Sequence, residues 1–167
     1  MTYSVLFLCT GNSARSILAE SILQKDGAGR FNAFSAGSDP KGTVNPLALR
    51  VLQNHGYPAQ GFRSKSWDEF AAHGAPPLDI IITVCDNAAG ETCPIWPGHP
   101  VTAHWGIDDP AAVTGSDDDK ASAFETAFRH MQARIAALLS LPIAALDIAA
   151  LRNALQDIGN MDGATHG

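Results

Sequence analysis

A chain of 167 residues with 46% hydrophobic and 17% charged side chains has the composition of an ordinary globule. It is long enough for one domain that buries about 70% of its unfolded surface. The formal net charge of −6 argues against nucleic acid or an anionic membrane as partner. No apolar stretch approaches the ~20 residues of a bilayer span, and no basic-then-apolar leader is evident, so the expected compartment is the cytoplasm.

Tyr3 to Leu8 reads as a buried strand that runs into the small, polar loop Cys9-Thr10-Gly11-Asn12-Ser13-Ala14-Arg15-Ser16. A helix follows through about Lys25 and ends at Asp26-Gly27-Ala28-Gly29. Phe31 to Ala36 is the second predicted strand, closed by Gly37-Ser38-Asp39-Pro40. Asn45 is placed to cap, and Pro46 to start, a helix reaching Gly56, and a shorter helical piece is expected from Ser66 to Phe70. Leu78 to Val84 is a β-branched strand apolar on both faces, and Val101 to Trp105 is a fourth strand. Ser116 to Asp119 reads as the N-cap and first turn of a long amphipathic helix over Lys120 to Leu139. A second helical pattern runs from Ile143 to Ile158, after Pro142.

Strands that alternate with helices, and that read as continuous apolar runs, predict an α/β fold: a three-layer sandwich around a central four-stranded parallel sheet. Residues 1–140 are expected to carry the working core, with 141–167 a helical extension of the same domain. Ligands of such sheets sit beyond the carboxyl ends of the strands. Cys9, Cys85 and Asp109 each fall just after a predicted strand and are therefore expected to converge on one edge.

The Cys9–Ser16 loop puts a thiol and a guanidinium at the two ends of one tight turn. A cysteine that ends a strand is ordinarily inert core. Here the strand–loop–helix context directs backbone N–H groups and the positive end of a helix dipole into one concavity, which favours a bound oxyanion. The same field is expected to lower the pKa of Cys9 and favour its reactive thiolate. Arg15 can grip two oxygens of a tetrahedral anion at once. Asn12, Ser13 and Ser16 are placed to hold the loop or to hydrogen-bond the sulfur.

Only three cysteines occur, Cys9, Cys85 and Cys93, which argues for reactive thiols rather than a disulfide scaffold. The step from Cys85 to Cys93 is wide for a zinc knuckle, and the six histidines show no ligand spacing, so no metal is expected. The polar segment between Cys85 and Cys93, with Gly90 as hinge, suits a loop whose end thiols can form a disulfide. With a nucleophilic Cys9 this suggests a relay. Cys85 attacks a Cys9 adduct, Cys93 exchanges, and an external dithiol resets the exposed bond. Asp109, stiffened by Pro110, is the candidate acid, since a carboxyl beside a bound oxyanion holds its proton more tightly.

Taken together, these residues resemble the thioredoxin-coupled arsenate reductases, which share the fold of the low-molecular-weight protein tyrosine phosphatases. The resemblance spans roughly residues 3 to 140 and rests on Leu6 to Ser16, on Cys85 and Cys93, and on Asp109 before Pro110. It implies that Cys9 attacks arsenate, for which phosphate and sulfate are mimics. The loop from Thr10 to Ser16 would bind it, with Arg15 and the loop amides stabilising the charged adduct. Asp109, rather than Asp108, would protonate the departing hydroxyl. Cys85 and Cys93 would relay two electrons to thioredoxin or a similar thiol donor, with no bound cofactor. One branch of the family holds an alkali cation near positions matching Asn12, Glu20 and Ser35. Here Ser64 or Lys65 stands near its acidic ligand position. Two other readings stay open: a phosphatase needing only Cys9, Arg15 and Asp109, and an oxyanion sensor that binds without turnover. Ala111-Ala112-Val113 after the Asp-Pro pair gives an aromatic phosphate ester little to grip.

Overall fold

The computed structural model describes residues 2–86, 96 and 98–165. Four parallel strands form one sheet: β1 (Tyr3–Cys9), β2 (Phe31–Gly37), β3 (Ile80–Thr83) and β4 (Val101–His104), in the order β2-β1-β3-β4. Both faces of β1 are covered, and Val5, Leu6, Phe7 and Leu8 are wholly buried. That is why its sequence is a continuous apolar run rather than an alternation. Val5, Phe7, Ile80 and Ile82 face the larger core. There they meet α1 (Arg15–Asp26), α2 (Pro46–Asn54), α4 (Asp117–Leu139) and α5 (Ile148–Gly159). Leu6, Leu8 and Ile81 face the other way, against Leu78, Trp96 and Phe70 of the short α3 (Asp68–Ala71). Each such buried aliphatic or aromatic side chain contributes about 1.5–3 kcal/mol.

Local signals set several of the helix starts. Asn45 Oδ1 accepts from the Leu47 N–H at 2.9 Å, with Pro46 in the first helical turn of α2. Ser116 and Asp119 form a reciprocal capping box, each backbone N–H donating to the other's side chain at 3.1 Å. Other boundaries differ from expectation. The ladder of β3 is shorter than Leu78–Val84, because Leu78 turns into the smaller core, and α3 starts at Asp68 rather than Ser66. The pattern from Ile143 to Ile158 is not one helix. A single 3-10 turn, Ile143–Ala145, is followed by an extended Leu146, and Asp147 caps α5 by accepting from the Ala150 N–H at 2.7 Å. An aspartate that bonds the backbone ahead of it starts a new helix more readily than it continues an old one.

Because all strands run parallel, their carboxyl ends lie along one edge. The pairings Cys9 with Gly37, Leu8 with Thr83, and Thr83 with His104 place the segments after all four strands side by side there.

Candidate active site

The loop Thr10–Ala14 links the last residue of β1 to the first turn of α1. Its partner Gly37 must be glycine, since a Cβ there would run into the Thr10 carbonyl oxygen. Asn12 holds φ +45°, the left-handed region that few non-glycine residues adopt. Its side chain secures that turn. Nδ2 donates to Ser16 Oγ at 2.8 Å and Ser35 Oγ at 3.0 Å, while Oδ1 accepts from the Lys65 N–H at 3.0 Å. The loop's carbonyls are engaged from outside: Thr10 by the Asp39 N–H at 2.9 Å, Gly11 by the Lys41 N–H at 3.0 Å, and Ser13 by the Asn45 N–H at 2.9 Å. Ser64 Oγ also donates to the Gly11 carbonyl, at 2.9 Å. In a trans peptide the N–H opposes the C=O. The N–H groups of Gly11, Asn12 and Ala14 therefore point away from those donors, and the loop borders a concavity.

That concavity is a cavity of about 220 Å³ lined by Cys9, Thr10, Gly11, Ser13, Ala14 and Arg15 of the loop, with Asp39, Lys41, Asp109 and Ala111 from later strand ends. The side chains of Asn12 and Ser16 stand behind it, both fully buried, as framework rather than lining. Arg15 is braced by its Nη1, which donates to the Ile107 carbonyl at 2.8 Å. Its Nη2 lies 3.7 Å from Asp109 Oδ2. Arg15 Nε is buried with no hydrogen-bond partner among the described residues, which leaves one strong donor for an anion. Asp109 does two things at once. Oδ1 accepts from the Ala111 N–H at 2.9 Å and caps the 3-10 turn Pro110–Ala112, while Oδ2 faces Arg15. From sequence, Asp39 reads only as part of the turn after the second strand, and neither it nor Lys41 is expected in the site. Their only signal was position, just past the end of β2.

Cys85 follows β3 by two residues and is buried beside the loop, as is Cys9. The Thr10 N–H donates to Cys85 Sγ at 3.3 Å. The expectation of a low-pKa Cys9 is corrected here. The neighbouring Cys85 thiol, followed by burial, pushes the Cys9 thiol well up, and Arg15 and the Thr10 backbone only partly oppose this. Two thiols in contact cannot both ionise readily. Cys93 and Gly90 lie outside the described residues. A second cavity, of about 250 Å³, touches the other side of Cys85 and is lined by Asp86, Ile107, Asp108 and Thr165 together with Arg15 and Asp109. Asp109 thus borders both cavities, whereas Asp108 borders only the second.

Behind the loop, Ser35 Oγ donates to Glu20 Oε1. Burial pushes the Glu20 carboxyl up, while the Ser35 hydroxyl and then the Lys65 charge pull it down. Burial lowers the Lys65 ammonium in turn, with Glu20 opposing. The Glu20 carboxylate, one of the positions that the resemblance matched to an alkali-cation site of one branch, therefore has a lysine ammonium acting on it. Among the described residues no group of three or more His, Cys, Asp or Glu is placed to hold a metal, and no helix is long and apolar enough to cross a membrane.

A four-stranded parallel sheet carrying a cysteine-to-arginine anion loop, with an aspartate facing the arginine, defines a phosphatase-type oxyanion site. The chain belongs to the low molecular weight phosphotyrosine protein phosphatase family, whose model matches residues 4–153. An arsenate reductase of Bacillus licheniformis is 37% identical over 122 residues, covering 73% of this chain and 84% of that protein. Among solved structures, one described as an arsenate reductase in the phosphate binding state is 26% identical with a TM-score of 0.68, covering 83% of this chain and 98% of its own. The arsenate reductase of Archaeoglobus fulgidus is likewise 26% identical, with a TM-score of 0.64 and coverage of 82% and 99%.

Proposed function

We propose that this protein is an arsenate reductase, working through a Cys9–arsenate adduct and a Cys85/Cys93 relay. The observation that carries the reading is the buried contact of Cys85 with the Cys9 side of the anion loop. Hydrolysis of a phosphate ester has no use for a second thiol there; reduction requires one.

Arsenate enters the 220 Å³ cavity and is held by the loop amides and Arg15. Cys9 Sγ attacks arsenic, its proton passes to the oxyanion, and an As–S bond replaces an As–O bond. Asp109 protonates the departing oxygen, which leaves as water. Cys85 then attacks Cys9 Sγ: an S–S bond forms, the As–S pair goes to arsenic, and As(V) leaves as arsenite. Cys93 exchanges onto Cys85, releasing Cys9 as thiolate, and an external dithiol of the thioredoxin type reduces the Cys85–Cys93 bond. The sum balances: arsenate and two thiols give arsenite, a disulfide and water. The setting is the cytoplasm, where such reductants operate.

Phosphate-ester hydrolysis is expected as a side activity, since Cys9, Arg15 and Asp109 suffice for it. Ala111, directly after Pro110, lines that cavity with a methyl group where an aryl ester would need a ring to flank it. The test is NADPH consumption coupled through thioredoxin and thioredoxin reductase, with and without arsenate. Arsenate-dependent turnover that Cys85→Ser abolishes supports the reductase. Brisk aryl phosphate hydrolysis without that turnover makes the protein a phosphatase.

A further inference from the structure

β4 is an edge strand, and its outer side is covered by the chain beyond α4. Gln156 of α5 pairs with the His104 backbone as another strand would, accepting from its N–H at 3.1 Å and donating to its carbonyl at 3.2 Å. Trp105 Nε1 donates to the Leu155 carbonyl at 2.8 Å. After α5 the backbone is steered. Arg134, fully buried, donates to the carbonyls of Met161 at 3.1 Å and Asp162 at 3.2 Å. Gly163 then turns with φ +87°, where a Cβ would also lie 2.5 Å from the His130 ring.

This route delivers Ala164 and Thr165 to the active site. Ala164 forms an antiparallel bridge with Ile107, whose carbonyl braces Arg15. The Thr165 N–H donates to the Gly106 carbonyl at 3.0 Å, and its hydroxyl to Asp86 Oδ1 at 3.1 Å. The same Asp86 oxygen lies 2.7 Å from His104 Nε2, and His104 Nδ1 lies 2.7 Å from Thr83 Oγ1. These groups close over Gly106. A Cβ there would sit 2.5 Å from Thr165 Oγ1, 2.6 Å from His104 Nε2 and 2.7 Å from Asp86 Oδ1. Residues 154–165 lie past the end of the family match at residue 153.

We propose that Thr165 is a positioning residue for the relay step: through Asp86 it fixes Cys85 at the angle from which it strikes the Cys9 adduct. The proposal rests on the reading of Cys85 as the attacking thiol. Asp86 is the next residue in the chain, so its carboxylate, held from two sides, anchors the backbone that carries the sulfur. An Asp86 held by His104 alone can swing about that contact and carry Cys85 out of line, and near-attack geometry is lost with displacements of an ångström.

The test compares wild type, Thr165→Val and Thr165→Ser in the full chain. Iodoacetamide labelling of Cys85, followed by peptide mass spectrometry, reads the thiol's confinement. The coupled assay reads kcat and KM for arsenate. Loss of one charge-assisted hydrogen bond predicts about tenfold faster Cys85 labelling in Thr165→Val, with kcat down about fivefold and KM unchanged. Thr165→Ser should restore both. Wild-type labelling in Thr165→Val, or defects that Thr165→Ser does not repair, overturns the proposal even if the melting temperature falls. A wild type without arsenate-dependent turnover ends the reductase reading instead, and the labelling comparison still decides whether Thr165 positions Cys85.

Discussion

The two sulfurs that meet in this site are held in different ways. Cys9 sits on a loop that is braced at many points. Asn12 reaches Ser16 four residues on, and further braces reach in from Ser35 of β2, 23 residues away, and from Ser64 and Lys65, each 53 residues from its partner. Cys85 is placed by groups remote in the chain: Thr10, 75 residues earlier, touches its sulfur, and Thr165, 79 residues after Asp86, holds the next carboxylate. The first arrangement suits a site that binds an anion and must not move. The second suits a thiol that must leave the pocket and return, because each distant contact can be broken without disturbing the loop.

Substitutions sharpen that contrast. Cys9→Ser should remove arsenate reduction and aryl phosphate hydrolysis together, by at least about 10⁴-fold, because both need the same nucleophile. Residual reduction measured in a coupled assay would break the mechanism. Asp109→Asn should slow adduct formation about 10²-fold, the size of a lost proton donor, while phosphate titration shows the anion still bound. An unchanged rate would assign the proton to another group.

Asn12→Ala attacks the rigid side alone. It leaves a left-handed alanine and the buried hydroxyls of Ser16 and Ser35 short of a partner. A loss of about 2–3 kcal/mol in urea unfolding is expected. The gentlest probe acts on the other side. Cys85→Ala removes the largest influence that raises Cys9, leaving the Arg15 charge to pull it down. The Cys9 pKa should therefore fall, and its alkylation-versus-pH curve should move to lower pH. A curve that stays in place would mean burial alone holds the proton.

What could be read from the sequence follows the same division. The parallel sheet, the anion loop, the Asn45 cap and the Ser116 capping box were legible because the residues responsible lie within a few positions of one another. Asp109 could be found because an aspartate before proline after a strand is a local pattern, although the choice over Asp108 came from resemblance. The roles of Lys41, Asp39 and the Asp86–His104–Thr165 cluster were not legible. Each depends on which strand ends stand side by side, and on where a segment beyond the core returns. The direction of the Cys9 shift failed for a related reason: the loop's field and the convergence of Cys85 were visible, but the resting contact between the two thiols was not.

The most direct test needs no external reductant. Fully reduced protein is mixed with excess arsenate, the arsenite is counted, and the cysteines are mapped by alkylation and mass spectrometry. One arsenite per chain is expected, with Cys85 and Cys93 joined in a disulfide and Cys9 still free to label. No arsenite, or arsenite formed while Cys85 and Cys93 both remain alkylatable, would contradict it.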